Sequence, residues 1–219
     1  LAHEYGAIVM VDGAQSLAHF KINVKELDVD FFAISGHKTF APTGVGAIYI
    51  KEKYLKDVKP YQTGGATIHE VDFSGSTLLD SPYKFEAGTQ NIAGIIGFGK
   101  AIEYINYVKH ENIESIEKNV FKFLNEELAK LPGIIFYNDM DNCIGSRSFN
   151  FEGLIHDDIG ILLDKMNIAV RVGHHCAQPI MKKLGIKGTI RVSTAFYNDY
   201  VDVDKLIEAL EKALKMLKD

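Results

Sequence analysis

Four residues able to do covalent or ionic chemistry stand at notable places in the sequence. Asp12 closes the apolar run 8–11 and is followed by Gly13 and, three residues on, Gln15. Strand ends of open α/β sheets carry ligand-binding groups, although an aspartate there also serves as a turn or helix cap. Lys38 ends the segment Ser35-Gly36-His37-Lys38, directly after the apolar run 29–34. An interior strand end does not tolerate a bare ammonium, and a desolvated lysine forms Schiff bases. The plainer alternative is a solvated loop lysine. Ser35 and His37 add hydroxyl and imidazole donors suited to a phosphate.

Cys176 lies in RVGHHCAQP, between His175 and Ala177. Adjacent His174 and His175 point apart in most backbone conformations, and no Cys-x-x-Cys spacing completes a tetrahedral metal set. A reactive thiolate is the better reading, because Arg171 and the histidines make its surroundings electropositive. Arg191 interrupts the apolar stretch TIRVSTAFYN and so needs an anion. That anion is either a protein carboxylate or a ligand carboxylate held by two parallel hydrogen bonds. Thr89 and Asn91, in FEAGTQN, suit either a ligand or a helix cap. Cys143, in DMDNCIGSR, reads as an incidental loop cysteine.

The elements that must position these groups follow from periodicity. Runs 8–11, 29–34 and 45–50 are short and continuously apolar, which predicts strands buried on both faces. Residues 60–90 are rich in Gly, Ser and Thr and weakly periodic, so the sequence predicts a long ordered loop. A glycine-rich helix follows residue 91. Next comes an amphipathic helix with Ile113, Ile116, Val120, Phe123, Leu124, Leu128 and Leu131 on one face, stopped by Pro132-Gly133. Short strands are predicted at 134–137, 146–151, 168–172 and 189–193. A helix is predicted near 157–166, and a last one starts near Val203 with Asp202 as its cap. Residues 1–95 therefore read as part of an α/β domain, and 96–219 as a smaller α+β domain.

The chain of 219 residues is 47% hydrophobic and 24% charged, which suffices for a core. A net charge of −5 with dispersed basic residues predicts no nucleic acid and no membrane among its partners. The two cysteines, Cys143 and Cys176, do not suggest a disulfide framework. The sequence starts abruptly on a helix end that runs into a strand, which predicts an upstream portion.

In chain order, VDGAQS, SGHK with PTGVG after it, FEAGTQN, RVGHHCAQPIM and IRVSTAFYN resemble the class V aminotransferase-fold enzymes. More narrowly they resemble the Suf-type cysteine desulfurases and the related selenocysteine lyases, and the likeness runs from end to end. The resemblance implies part of the large domain of a fold-type I enzyme dependent on pyridoxal 5′-phosphate (PLP), with the small C-terminal domain after it. It implies that Lys38 bonds the cofactor, Asp12 pairs with the pyridinium nitrogen, and Gln15 hydrogen-bonds the phenolic oxygen. Ser35 and His37 would hold the phosphate, and Thr89 the phosphate of the opposite subunit of a homodimer. Arg191 would clamp the carboxylate of L-cysteine. Cys176 would take the sulfur as a persulfide, releasing L-alanine and passing sulfur to an acceptor protein for iron–sulfur cluster assembly or another sulfur pathway in the cytoplasm. Selenocysteine lyase chemistry uses the same lysine and shares these motifs. The family carries roughly another half-chain before the segment matching Leu1, supplying the group that stacks on the cofactor. On that ground a fragment inactive without a separate upstream half-chain is also compatible with the sequence.

Overall fold

The computed structural model describes residues 1–139, 143 and 145–218. The chain divides into two compact units, Leu1–His110 and Glu111–Asp219.

In the first unit, β1 (Met10–Asp12) pairs in parallel with β2 (Phe31–Ser35), and β2 pairs antiparallel with β3 (Gly46–Ile50). The register sets Asp12 opposite Ala33, so Asp12 and Ser35 both end their strands at one edge of the sheet. Two close approaches fix this edge. A Cβ on Gly13 would lie 2.1 Å from the Phe32 ring, and one on Gly36 would lie 2.6 Å from the Val45 carbonyl oxygen. Glycine is the residue that fits at either place. Buried Asp30 ties the opposite end together. It accepts the Val9 N–H at 2.9 Å, lies 2.8 Å from His3 Nε2, and faces the ammonium groups of Lys51 and Lys53. The Val9 donor and then His3 hold its carboxyl well below the usual carboxylate range.

β1 is more open than the sequence predicts, with Met10 61% exposed. Parallel strands bury both faces only when neighbours cover them, and in this unit β1 is an outer strand of the sheet. The stretch 60–90 is also not all loop. β4 (Ile68–Asp72) and β5 (Gly75–Leu78) form an antiparallel hairpin whose turn is closed by Asp72 Oδ1, which accepts the N–H groups of Ser74 and Gly75. Helix α1 (Ile92–Val108) is capped by Asn91, whose Oδ1 accepts the Gly94 N–H at 3.0 Å. Asn91 Nδ2 donates to the Gly44 carbonyl, and Gly97 lies against Pro42. These contacts place α1 in the first unit, whereas the sequence reading begins the second domain at residue 96.

The second unit begins with most of α2 (His110–Leu128). After it come β6 (Ile134–Phe136), β7 (Ser146–Phe151), α3 (His156–Lys165), β8 (Arg171–Gly173), α4 (Gln178–Leu184), β9 (Thr189–Ser193) and α5 (Tyr200–Lys218). The strands form one antiparallel sheet in the order β6-β7-β9-β8. Phe149, Phe151, Ile190 and Val192 turn one face of it toward Leu124 and Leu128 of α2, Ile159 and Leu163 of α3, and Leu206 and Leu210 of α5. Alternation then turns Ser148, Asn150, Thr189, Arg191 and Arg171 to the other face. Asp202 is not the cap of α5. The helix starts at Tyr200, and Asp199 Oδ1 accepts the Asp202 N–H while Asp202 Oδ2 accepts the Asp199 N–H.

Phe149 has no exposed surface and meets Phe136 and Phe151 edge-to-face at centroid distances of 6.4 and 5.8 Å. Phe149→Ala is expected to destabilise this unit by about 3–5 kcal/mol, since the cavity cannot collapse between sheet and helices. Chemical denaturation followed by far-UV circular dichroism measures it.

Candidate active site

In the first unit the candidate residues gather at the edge where β1 and β2 end. Thr39 is buried, its Oγ1 donates to the Ser35 carbonyl at 2.9 Å, and its N–H donates to the Gly36 carbonyl at 2.7 Å. This closes the 3₁₀ turn His37–Thr39 on the end of β2 and fixes the backbone that carries Lys38. Ser35 Oγ and His37 Nδ1 are 3.1 Å apart and face the same side. Asp12 Oδ1 accepts the Ala14 N–H at 3.0 Å, leaving Oδ2 without a protein donor among the described residues. Gln15 follows on the same turn and is exposed. Thr89 is exposed beside Gly88, whose N–H donates to the Gly65 carbonyl.

Lys38 is exposed and forms no ion pair with any carboxylate among the described residues. The desolvated environment predicted for it is not present in this unit, because the strand-end edge opens to solvent. The group as a whole is one acceptor carboxylate, one amide, a hydroxyl–imidazole pair and an uncommitted primary amine on a rigid glycine-bearing edge. In such a set Asp12 could pair with a protonated ring nitrogen, Ser35 and His37 could hold a phosphate, and Lys38 could bond a carbonyl carbon.

In the second unit the polar face of the sheet bears the other candidates. Arg171 of β8 and Arg191 of β9 are direct cross-strand partners. Like charges directly opposite in a sheet repel, so this pair concentrates positive charge on the polar face and favours an anion there. Neither guanidinium has a carboxylate partner among the described residues, and Arg191 Nε is buried without any hydrogen bond. The sequence singled out Arg191 but gave Arg171 only a share in an electropositive setting. The cross-strand register, invisible in sequence, is what makes them a pair.

Cys176 is exposed and reduced, with Arg171 Nη2 3.7 Å from its Sγ. His175 turns the other way and packs on β9, its Nε2 2.8 Å from Thr189 Oγ1. Burial and then the nearby Arg191 push the His175 imidazole below the usual histidine range. His174 is exposed, with Gln178 Nε2 3.4 Å from its Nδ1. Among the described residues no group of three His, Cys, Asp or Glu side chains is placed to hold a metal ion. Cys143 contacts Asn138 and the Asp139 carbonyl before β7.

The family model for class V aminotransferases matches residues 1–206. The chain belongs to the class V aminotransferase family. It is 43% identical over 218 residues to cysteine desulfurase CsdA of Escherichia coli strain K12, covering 100% of this chain and 54% of that protein. The crystal structure of E. coli CsdA in an S-sulfonic acid form superposes with a TM-score of 0.92 at 42% identity, over 98% of this chain and 53% of the other. An apo cysteine desulfurase from Thermococcus onnurineus NA1 gives 0.93 at 41% identity, over 98% and 54%. The chain spans about half the length of the curated relatives it matches. Class V aminotransferases work with PLP. Among the described residues no helix is long and apolar enough to cross a membrane.

Proposed function

We propose that this chain carries the cofactor lysine, the substrate clamp and the sulfur-accepting thiol of a PLP-dependent cysteine desulfurase. The observation that carries the reading is the unpaired cross-strand couple Arg171–Arg191 beside the exposed Cys176. A couple of this kind favours an anion, and L-cysteine brings a carboxylate together with the sulfur that Cys176 would take. The 41–43% identity to cysteine desulfurases supports the same substrate.

Lys38 would be the attachment point for PLP, and its Nζ the amine that moves protons to and from the substrate carbon. Asp12 would keep the ring nitrogen protonated, Gln15 would hydrogen-bond the phenolic oxygen, and Ser35 with His37 would hold the phosphate. Thr89 would reach the phosphate of the opposite subunit in a homodimer. When bound, PLP supplies an electron sink for the amine-bearing carbon of the substrate. Arg191 clamps the substrate carboxylate through two parallel hydrogen bonds. Cys176 Sγ attacks the substrate sulfur: the S–S bond forms as the substrate C–S bond breaks, the electron pair stays on carbon, and a proton completes L-alanine. Arg171, with Nη2 3.7 Å from Cys176 Sγ, orients the sulfur before attack. The persulfide on Cys176 then passes to a sulfur-acceptor protein, for iron–sulfur cluster assembly or another sulfur pathway. Two reduced cysteines suit a cytoplasmic setting.

The test is turnover of L-cysteine by the full-length protein with PLP and a thiol reductant. L-alanine and sulfide are expected in equal amounts, and no alanine above a protein-free control overturns the proposal. Turnover of L-selenocysteine but not L-cysteine would make it a selenocysteine lyase instead.

A further inference from the structure

The Cys176 thiol is presented from backbone that a side chain with a Cβ rarely adopts. His175 and Cys176 both have positive φ, 53° and 60°, two left-handed residues in succession. Something outside the loop has to hold them there, and the His175 ring is placed to do so. Its Nε2 lies 2.8 Å from Thr189 Oγ1 and 3.1 Å from the Thr189 carbonyl oxygen, and Thr189 is buried at the start of β9. A carbonyl only accepts, so the neutral ring keeps its proton on Nε2 and leaves Nδ1 as a buried acceptor with no partner among the described residues. After the left-handed pair, the Ala177 N–H donates to the His174 carbonyl at 2.9 Å, closing a tight turn around the cysteine.

We propose that His175 is a positioning residue: pinned on Thr189, it holds the left-handed turn that directs Cys176 Sγ outward beside Arg171. This rests on the reading of Cys176 as the sulfur acceptor. The groups facing the ring are Arg191 from β9, Arg171 from β8 and His156 at the start of α3. Burial and then the two guanidinium groups push the ring below the usual histidine range, favouring the neutral form in which Nε2 donates to Thr189.

The experiment uses the full-length, PLP-bearing protein in three variants: His175→Phe, His175→Gln and Thr189→Val. Phenylalanine fills the ring's place without a donor, whereas the glutamine amide can still donate to Thr189. His175→Phe is expected to lower kcat about 100-fold, the scale of a misplaced reacting group, with KM for L-cysteine and the visible absorbance of bound PLP unchanged. His175→Gln is expected to recover most of that loss, and Thr189→Val to lower kcat roughly 3- to 10-fold, as for one neutral hydrogen bond. Hydrogen–deuterium exchange should show faster exchange at residues 173–177 in His175→Phe and near-native exchange in His175→Gln. An unchanged kcat in His175→Phe overturns the inference. So does a joint loss of kcat, KM, PLP absorbance and thermal stability that glutamine does not rescue, which marks a merely structural role. Cys176→Ser separates the two levels: if it retains turnover the reading of Cys176 fails, and if it is inactive while His175→Phe is not, only the positioning role fails.

Discussion

In the full-length protein Lys38→Ala is expected to lose the visible absorbance of bound PLP on gel filtration and to form alanine from L-cysteine about 10³-fold or more slowly. The size follows from removing the two functions proposed for one atom, Nζ as attachment point and as proton carrier, since a positioned acid–base group alone contributes about 10²–10⁴-fold. The loss is specific because the turn that carries Lys38 does not depend on it. Thr39 Oγ1 on the Ser35 carbonyl and Thr39 N–H on the Gly36 carbonyl keep the end of β2 closed whatever side chain stands at position 38. An exposed lysine without an ion pair also contributes little to stability, so thermal unfolding of Lys38→Ala without added PLP should match that of the unsubstituted protein without PLP. Retained PLP with turnover near that of the unsubstituted protein would remove Lys38 from the site.

Arg191→Lys is expected to raise KM for L-cysteine about 10- to 100-fold, with a much smaller effect on kcat. A lysine keeps the charge but replaces a planar fork with a point, so one of the two charge-assisted hydrogen bonds, worth about 1.5–3 kcal/mol, is lost. Among the described residues no carboxylate pairs with Arg191, so its guanidinium is available to a substrate carboxylate. L-Cysteine methyl ester checks the assignment. It lacks the carboxylate, so Arg191→Lys should hardly change its KM. Equal increases for acid and ester would show that Arg191 supports the sheet rather than the substrate.

Much of the first site is legible in the sequence because strand ends announce themselves. The runs before Asp12 and Ser35 stop at polar and glycine residues, and the parallel register then brings those ends together. The hairpin Ile68–Leu78 is hidden for the opposite reason. All five β4 residues are exposed, so no alternation of burial is imprinted on IHEVD. The one available signal is the turn Asp72-Phe73-Ser74-Gly75, where an Asx side chain closes the loop. Helix α4 escapes periodicity because seven residues make barely two turns. In the second unit the sequence singles out Arg191 and Cys176 by type, but their relation depends on β8 lying against β9. Without that pairing nothing shows that Arg171 opposes Arg191 or that Thr189 receives His175. The exposure of Lys38 was not legible either, since an apolar run before a lysine looks the same whether or not its strand end is covered.

The most direct test of the account is the mass of the Cys176 peptide after the full-length, PLP-bearing protein meets a small excess of L-cysteine without reductant. The account predicts one added sulfur atom on Cys176, none on Cys143, and about one alanine released per sulfur retained. Alanine accumulating with Cys176 unmodified, or with the sulfur on Cys143, would contradict it.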